Sequence, residues 1–220
     1  MLTQTDVDKK INLLQLWGIK LEGVTTIPER GIDAITLLVA PFLRSSSHLL
    51  VTSTLSGFLP VFLPLIPTTS TEPHLRLALT QLLPGLVEKL NDNKDKVSEP
   101  ARDLIVTLGS KCYAADQAEQ VVASTLSTSK GKAGHDKEGV AAIWENAIKD
   151  VLAGRGARAK IGVLKLLLTM REDTTIKLPL KPWLPSLVNL LEDSDGGVRD
   201  QAREVCYLRI FIPMQHSLTS

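Results

Sequence analysis

Trp183-Leu184-Pro185-Ser186-Leu187-Val188-Asn189-Leu190-Leu191-Glu192-Asp193-Ser194-Asp195-Gly196-Gly197-Val198-Arg199-Asp200-Gln201-Ala202-Arg203 has a second copy in this chain. Leu82 to Arg102 aligns with it without a gap. Pro84 falls on Pro185, Val87 on Val188, Asp92 on Asp193, Val97 on Val198, and Ala101-Arg102 on Ala202-Arg203, each 101 residues apart. A register held through two apolar stretches and the polar segment between them marks an internal repeat.

Both copies follow one pattern. Leu83, Leu86, Val87 and Leu90 recur at i, i+3, i+4 and i+7, as do Leu184, Leu187, Val188 and Leu191. That spacing predicts one stripe of an amphipathic helix. A polar loop follows in each, Asn91 to Lys96 and Glu192 to Gly197, rich in residues that stop one helix and cap the next. Second stripes then begin, at Val97, Ala101, Leu104, Ile105 and Leu108, and at Val198, Ala202, Val205 and Cys206. Pro84 and Pro185 are expected in the first turn of their helices, where a missing N–H costs little. An intermediate copy puts Trp144, Ala147, Ile148 and Val151 on its first stripe and Ala157, Ile161 and Leu164 on its second. A helix–loop–helix period near 40 residues lies in the range of HEAT and armadillo arrays. The fold expected is an all-α solenoid of stacked antiparallel pairs, since one pair cannot bury its own apolar face.

The chain has 220 residues, long enough for a substantial core. Hydrophobic residues make up 44% and aromatics only 4%, which suits stacked helices better than a β-sandwich. The net charge of +1 provides no global field to draw nucleic acid or membrane, so neither is expected as a partner. Positive charge is nevertheless concentrated: Thr128 to Arg171 holds nine Lys/Arg against four Asp/Glu. Cys112 and Cys206 lie far apart with no CxxC spacing, as in a reducing compartment. The N-terminus has no signal-peptide character, and the apolar stretch Gly57 to Ile66 is too short for a bilayer and holds two prolines. These features suggest a soluble, intracellular protein.

Along the chain, Asp6 to Lys20 reads as a first helix with Ile11, Leu14 and Trp17 inward. A second begins at Pro28, carries Ile32, Ile35, Leu38 and Val39, and ends near Arg44. His48 to Leu65 starts as a helix, and its prolines leave the second half open. A long helix runs from Thr71-Glu72-Pro73 to about Leu90. Ser110 to Asp116 reads as a loop before a helix over Gln117 to Leu126. Residues 127–137 are polar and basic and are expected to form a flexible insertion. The array is thus expected over residues 1–206, with an irregular tail over 207–220 because the stripe fails after Cys206.

No catalytic constellation is visible, so no enzyme activity and no cofactor are expected. The four histidines lack metal-ligand spacing, and Cys112 has no nearby His partner in sequence. Gly154-Arg155-Gly156 and Gly131-Lys132 follow no strand and complete no phosphate loop. Trp144, Trp183 and Cys206 read as core.

The units over Thr71 to Arg203, above all Leu83-Pro84-Gly85-Leu86-Val87 through Val97 and Leu184-Pro185-Ser186-Leu187-Val188 through Asp200, resemble TOG domains. More narrowly they resemble the N-terminal array of fungal CLASP-family proteins. The resemblance implies a microtubule-associated module of the cytoplasm and spindle. Its intra-pair loops would line one edge and touch acidic tubulin. The loop residues it points to are Arg44, Lys94, Lys96, Arg155, Arg158, Lys160 and Arg199. Tubulin-binding TOG domains usually carry a tryptophan in the first such loop. Neither Val24 to Ile27 nor Arg44 to Ser47 has one. The alternative is a scaffold that docks another spindle or kinetochore protein without binding tubulin directly. A third reading, a HEAT-like DNA glycosylase, would need a strongly basic concave face, which a net charge of +1 does not favour. Short of such partners, Arg199 and Arg158 could pair locally with Asp195 or Asp150.

Overall fold

The computed structural model describes residues 4–68, 73–126, 139–172 and 178–215. Helices α1 (Gln4–Leu21) and α2 (Glu29–Leu43) come first. Next is a composite helix: α3 (His48–Thr52), a π-helical turn (Ser53–Phe58), α4 (Leu59–Phe62) and a 3-10 turn (Leu63–Leu65). Then follow α5 (Pro73–Lys89), α6 (Asp95–Leu126), α7 (Val140–Ala153) and α8 (Ala157–Glu172). A 3-10 turn (Lys181–Trp183) leads into α9 (Leu184–Leu190), and α10 (Gly196–Gln215) closes the series.

The helices stack in two layers, as an all-α HEAT-like solenoid. In the first layer α2 packs on α5, α5 on α7 and α7 on α9. In the second, α1 packs on the composite helix, that helix on α6, α6 on α8 and α8 on α10. Each short loop joins a first-layer helix to its second-layer partner, so chain direction alternates and these loops fall on one edge. The core runs unbroken between the layers, from Leu14 and Ile32 through Leu82, Leu86 and Ile105 to Leu164 and Val205. Leu86 and Leu187 are both buried. Leu86→Ala and Leu187→Ala are each expected to cost about 2–5 kcal/mol in urea unfolding, the usual penalty for a lost core Leu.

The prolines of the composite helix are accommodated without a break. The Leu59 N–H bonds to the Thr54 carbonyl, one residue farther back than in an α-helix. This wider turn makes room for the Pro60 ring, which would crowd the preceding turn of an α-helix. Opposite it lies Gly18 of α1, where a Cβ would make only an ordinary van der Waals contact, 3.7 Å from the Gly57 carbonyl oxygen. His48–Leu65 is long and apolar enough, by length and composition, to cross a bilayer. Here one face of it lies in the core, with Leu50, Leu55, Phe58, Leu59, Phe62 and Leu63 all fully buried, while Leu49 faces solvent.

Several expectations need correction. Ser110 to Asp116 is not a loop: α6 runs straight through it, and Cys112, Tyr113 and Ala115 are core residues. The segment has no proline, and its one neighbouring glycine, Gly109, serves packing rather than chain reversal. A Cβ on Gly109 would sit 2.7 Å from the Trp144 ring. Pro84 lies well inside α5, not in its first turn. It is on the exposed side, where water can take the Thr80 carbonyl that loses its partner. The α9 stripe is also rotated. Trp183, Leu187 and Leu190 are buried, while Val188 is 58% exposed. The bulky indole takes the inward position and turns Val188 to solvent. Leu38, expected inward, is exposed as well. Finally, α10 continues to Gln215, where an irregular tail is expected from 207 on sequence grounds. Loss of an apolar stripe does not by itself end a helix. Residues 127–137 and the cap at 71–72 lie outside the described residues.

Trp144 and Trp183 are fully buried, as expected. Trp144 Nε1 donates to the Ile105 carbonyl at 3.1 Å, and its ring meets Tyr113 and Trp183 edge-on at centroid distances of 6.0 and 5.9 Å. Tyr113 donates to Glu145 at 2.7 Å, Glu145 pairs with Lys149, and the Lys149 ammonium lies 5.2 Å from the Trp183 ring centre. Burial and the Glu145 acceptor push the Tyr113 phenol well above the ordinary tyrosine range. Burial likewise pushes the Cys112 thiol up, which makes it a poor nucleophile.

Candidate functional site: the loop edge

The two copies of the repeat build the same loop. In the first, the N–H groups of Leu90, Asn91 and Asp92 bond to the carbonyls of Val87, Glu88 and Lys89, which tightens the end of α5. In the second, those of Leu191, Glu192 and Asp193 bond to Val188, Asn189 and Leu190. The Asp92 carboxylate then accepts from Lys94 N at 2.9 Å, and that of Asp193 from Asp195 N at 3.0 Å. Val97 N and Ser98 N bond to the Lys94 carbonyl. Arg199 N bonds to the Asp195 carbonyl, while Val198 N takes the Asp195 side chain. The matched aspartate therefore acts mechanically, its side chain turning the main chain into the next helix.

The loop between α7 and α8 is shorter and lies against the loop before it. A Cβ on Gly156 would come within 3.2 Å of Asn91 Oδ1. Arg158 Nη1 donates to the Asp92 carbonyl at 3.2 Å. On the other side Lys160 Nζ reaches Asp193 Oδ2 at 2.7 Å. Both side chains of that pair are nearly covered, at 13% and 11% exposure. Arg199 Nη1 closes the last loop by donating to the carbonyls of Asp193 at 2.7 Å and Ser194 at 3.0 Å. The Lys160 hydrogen bond, helped by the Asp195 N–H, holds the Asp193 carboxyl below the usual aspartate range. Between these two loops is an open polar cleft of about 510 Å³, lined by Gly154, Arg155, Ala157, Lys160 and Asp193 to Asp195.

The loops Asn91–Lys96, 153–157 and Asp193–Gly197 thus share one edge, linked by direct bonds. Arg44 joins it by the alternation of chain direction, as the C-cap of α2 in a loop that Ser45 and Ser47 shape through their hydroxyls. The seven cations divide into two sets. Arg44, Lys94, Lys96 and Arg155 are exposed, and their side chains have no partner among the described residues. Arg158, Lys160 and Arg199 are engaged within the edge. Sequence proximity points Arg199 and Arg158 to Asp195 or Asp150. Both arginines instead take loop carbonyls, acceptors no side-chain inventory reveals. The part played by Asp193 is legible in principle, because Asp92 and Asp193 occupy the same repeat position. Among the described residues no group of three or more His, Cys, Asp or Glu could hold a metal.

No family model matches the sequence. Curated relatives do. Over 212 residues, 92% of its length, the chain is 43% identical to Protein STU1 of Cryptococcus neoformans var. neoformans serotype D. The chain is homologous to a segment of the fungal STU1 proteins. Protein STU1 of Mycosarcoma maydis is 30% identical over 206 residues, 90% of the chain. That of Gibberella zeae is 32% identical over 121 residues, 55% of the chain. The matched segments make up 17%, 15% and 8% of these relatives, so the chain spans less than a fifth of each. In the two longer matches the similarity reaches well beyond the strong repeat, over most of both helical layers.

Proposed function

We propose that this chain is a TOG-like module of a CLASP-family microtubule regulator, and that it meets tubulin or the microtubule lattice through the loop edge. The observation that carries this reading is the set of exposed cations, Arg44, Lys94, Lys96 and Arg155, borne by successive intra-pair loops on one side of the solenoid. Similarity to the STU1 proteins supports the family, and with it a place on the cytoskeleton or spindle. An acidic partner would be drawn to such an edge and oriented by it, since rim charges act mainly on association rate and register.

A second reading has its own support. The first loop of the edge, Arg44 to Ser47, carries no tryptophan, and three of the seven loop cations are already bonded within the edge. Interfaces usually depend on a few aromatic or arginine anchors. The same paddle could therefore dock another spindle or kinetochore protein. Sedimentation velocity with purified tubulin separates the two. On the first reading a complex forms at low salt and weakens as ionic strength rises past about 0.15 M, where the Debye length is about 8 Å. Absence of a complex even at low salt would leave the scaffold reading standing.

A further inference from the structure

We propose that Arg158, Lys160 and Arg199 are positioning residues that hold the edge in register, and that Arg44, Lys94, Lys96 and Arg155 are the cations that meet the partner. This assignment rests on the reading of the edge as a tubulin-binding surface. It assigns different roles to the seven residues that the repeat register groups together.

The division follows from what each side chain already does. The first turns of α8 reach both ways along the edge: Arg158 back to the Asp92 carbonyl, Lys160 forward to the Asp193 carboxylate. Arg199 then ties the carbonyls of Asp193 and Ser194 to α10. Three loops are thereby referenced to one rigid helix. Lys160 is 13% exposed and paired at 2.7 Å, so it would have to break an ion pair and emerge to touch a partner. Breaking it would also take from Asp193 its one direct ammonium partner, leaving Arg199 and the Asp195 N–H to offset it beside Glu192 and Asp195. Lys94, Lys96 and Arg155 need no such rearrangement. A loop held in place before binding loses less freedom on association, which favours affinity without adding a contact.

The two roles predict opposite signs for one substitution. Asp193→Asn keeps the Oδ1 that turns the chain at Asp195, and removes a negative charge from the edge. If Lys160 were a contact, freeing it should strengthen binding to an acidic partner. If Lys160 is a brace, binding should weaken. The experiment compares wild type, Asp193→Asn, Lys160→Gln, Lys160→Arg and Arg155→Gln by titration with purified tubulin at several salt concentrations. Amide hydrogen exchange of residues 191–195 is followed in parallel. Asp193→Asn and Lys160→Gln are expected to weaken binding about tenfold, the scale of ordering one more side chain on association. Both should speed exchange in that loop, while Lys160→Arg stays near wild type. Arg155→Gln should weaken binding and flatten its salt dependence with exchange unchanged. Stronger binding by Asp193→Asn, or loop exchange unaltered in Lys160→Gln, would overturn the proposal. The exchange arm needs no partner. If wild type does not bind tubulin, the functional reading fails, and loop exchange alone still decides whether the brace exists.

Discussion

Trp144→Ala is expected to destabilise the protein by about 3–5 kcal/mol, as for a large aromatic removed from a core. Few single changes should cost more here. The indole is fully buried between α6, α7 and the turn that leads into α9. Three groups have shaped themselves to it: Gly109, which has no Cβ so that the ring can lie against α6, and the edge-on rings of Tyr113 and Trp183. Removal therefore leaves a cavity whose walls belong to three helical elements and cannot all collapse together. The lost hydrogen bond adds little, because the Ile105 carbonyl lies inside α6 and keeps a helical partner. Trp144→Phe should recover most of the loss. Trp17→Ala should cost less, because Trp17 is only partly buried, with its ring 6.1 Å from that of Phe58. Urea unfolding of the four proteins tests the order. Equal midpoints for Trp144→Ala and Trp17→Ala would show that the central cluster is not the keystone of the stack. Net stabilities of single domains run to about 5–15 kcal/mol, so the Trp144 variant should also be visibly less stable to heat.

Much of the fold is legible because the chain states its grammar twice. Val97, Ala101, Leu104, Ile105 and Leu108 are all buried, as their spacing predicts, and so are Val198, Ala202 and Val205. Sequence reading fails where tertiary packing overrides local signals. A run such as Ser110 to Asp116 looks like a loop to a reader of polarity. Yet Cys112, Tyr113 and Ala115 are carried inward by a helix whose neighbours supply the apolar surface. The phase of α9 is not readable from alternating leucines, because Trp183, one residue before the helix, decides which face turns in. Pro84 misleads for a similar reason: a proline marks a first turn only when nothing earlier can extend the helix.

The candidate site is legible as a set of positions and not as a set of roles. Repeat register correctly groups Asn91–Lys96, 153–157 and Asp193–Gly197. It does not separate Lys160 from Lys94, because the difference lies in a carboxylate 33 residues away in sequence. Nor does it find the acceptors of Arg158 and Arg199, which are main-chain carbonyls presented by loop geometry. Side-chain identity forecasts where charge can go. Only the packed edge decides which charges remain available to a partner.

Charge reversal on the edge should have the largest functional effect. Lys94→Glu with Lys96→Glu is expected to abolish co-migration with tubulin, and so is Arg155→Glu with Arg158→Glu. In the first pair both lysines are exposed and without side-chain partners among the described residues, so reversal leaves the loop's own turn intact. That turn depends on the Lys94 main chain and the Asp92 carboxylate, neither of which changes. Stability should therefore move little, as is usual for exposed charges. The second pair differs in one respect. Arg158 also bonds to the Asp92 carbonyl, so its reversal removes a tie between loops as well as a charge. Faster amide exchange at 91–94 is expected in that double variant and not in the first. In both, attraction to an acidic surface becomes repulsion, and the loss should be greatest at low salt, where screening is weakest. The decisive comparison is sedimentation of wild type and both double variants with tubulin at low salt, with circular dichroism to verify helix content. If wild type binds and both reversals bind equally well, the contact surface lies elsewhere on the paddle. If only the second pair loses binding, the basic centre around Arg155 dominates and the first loop is a bystander.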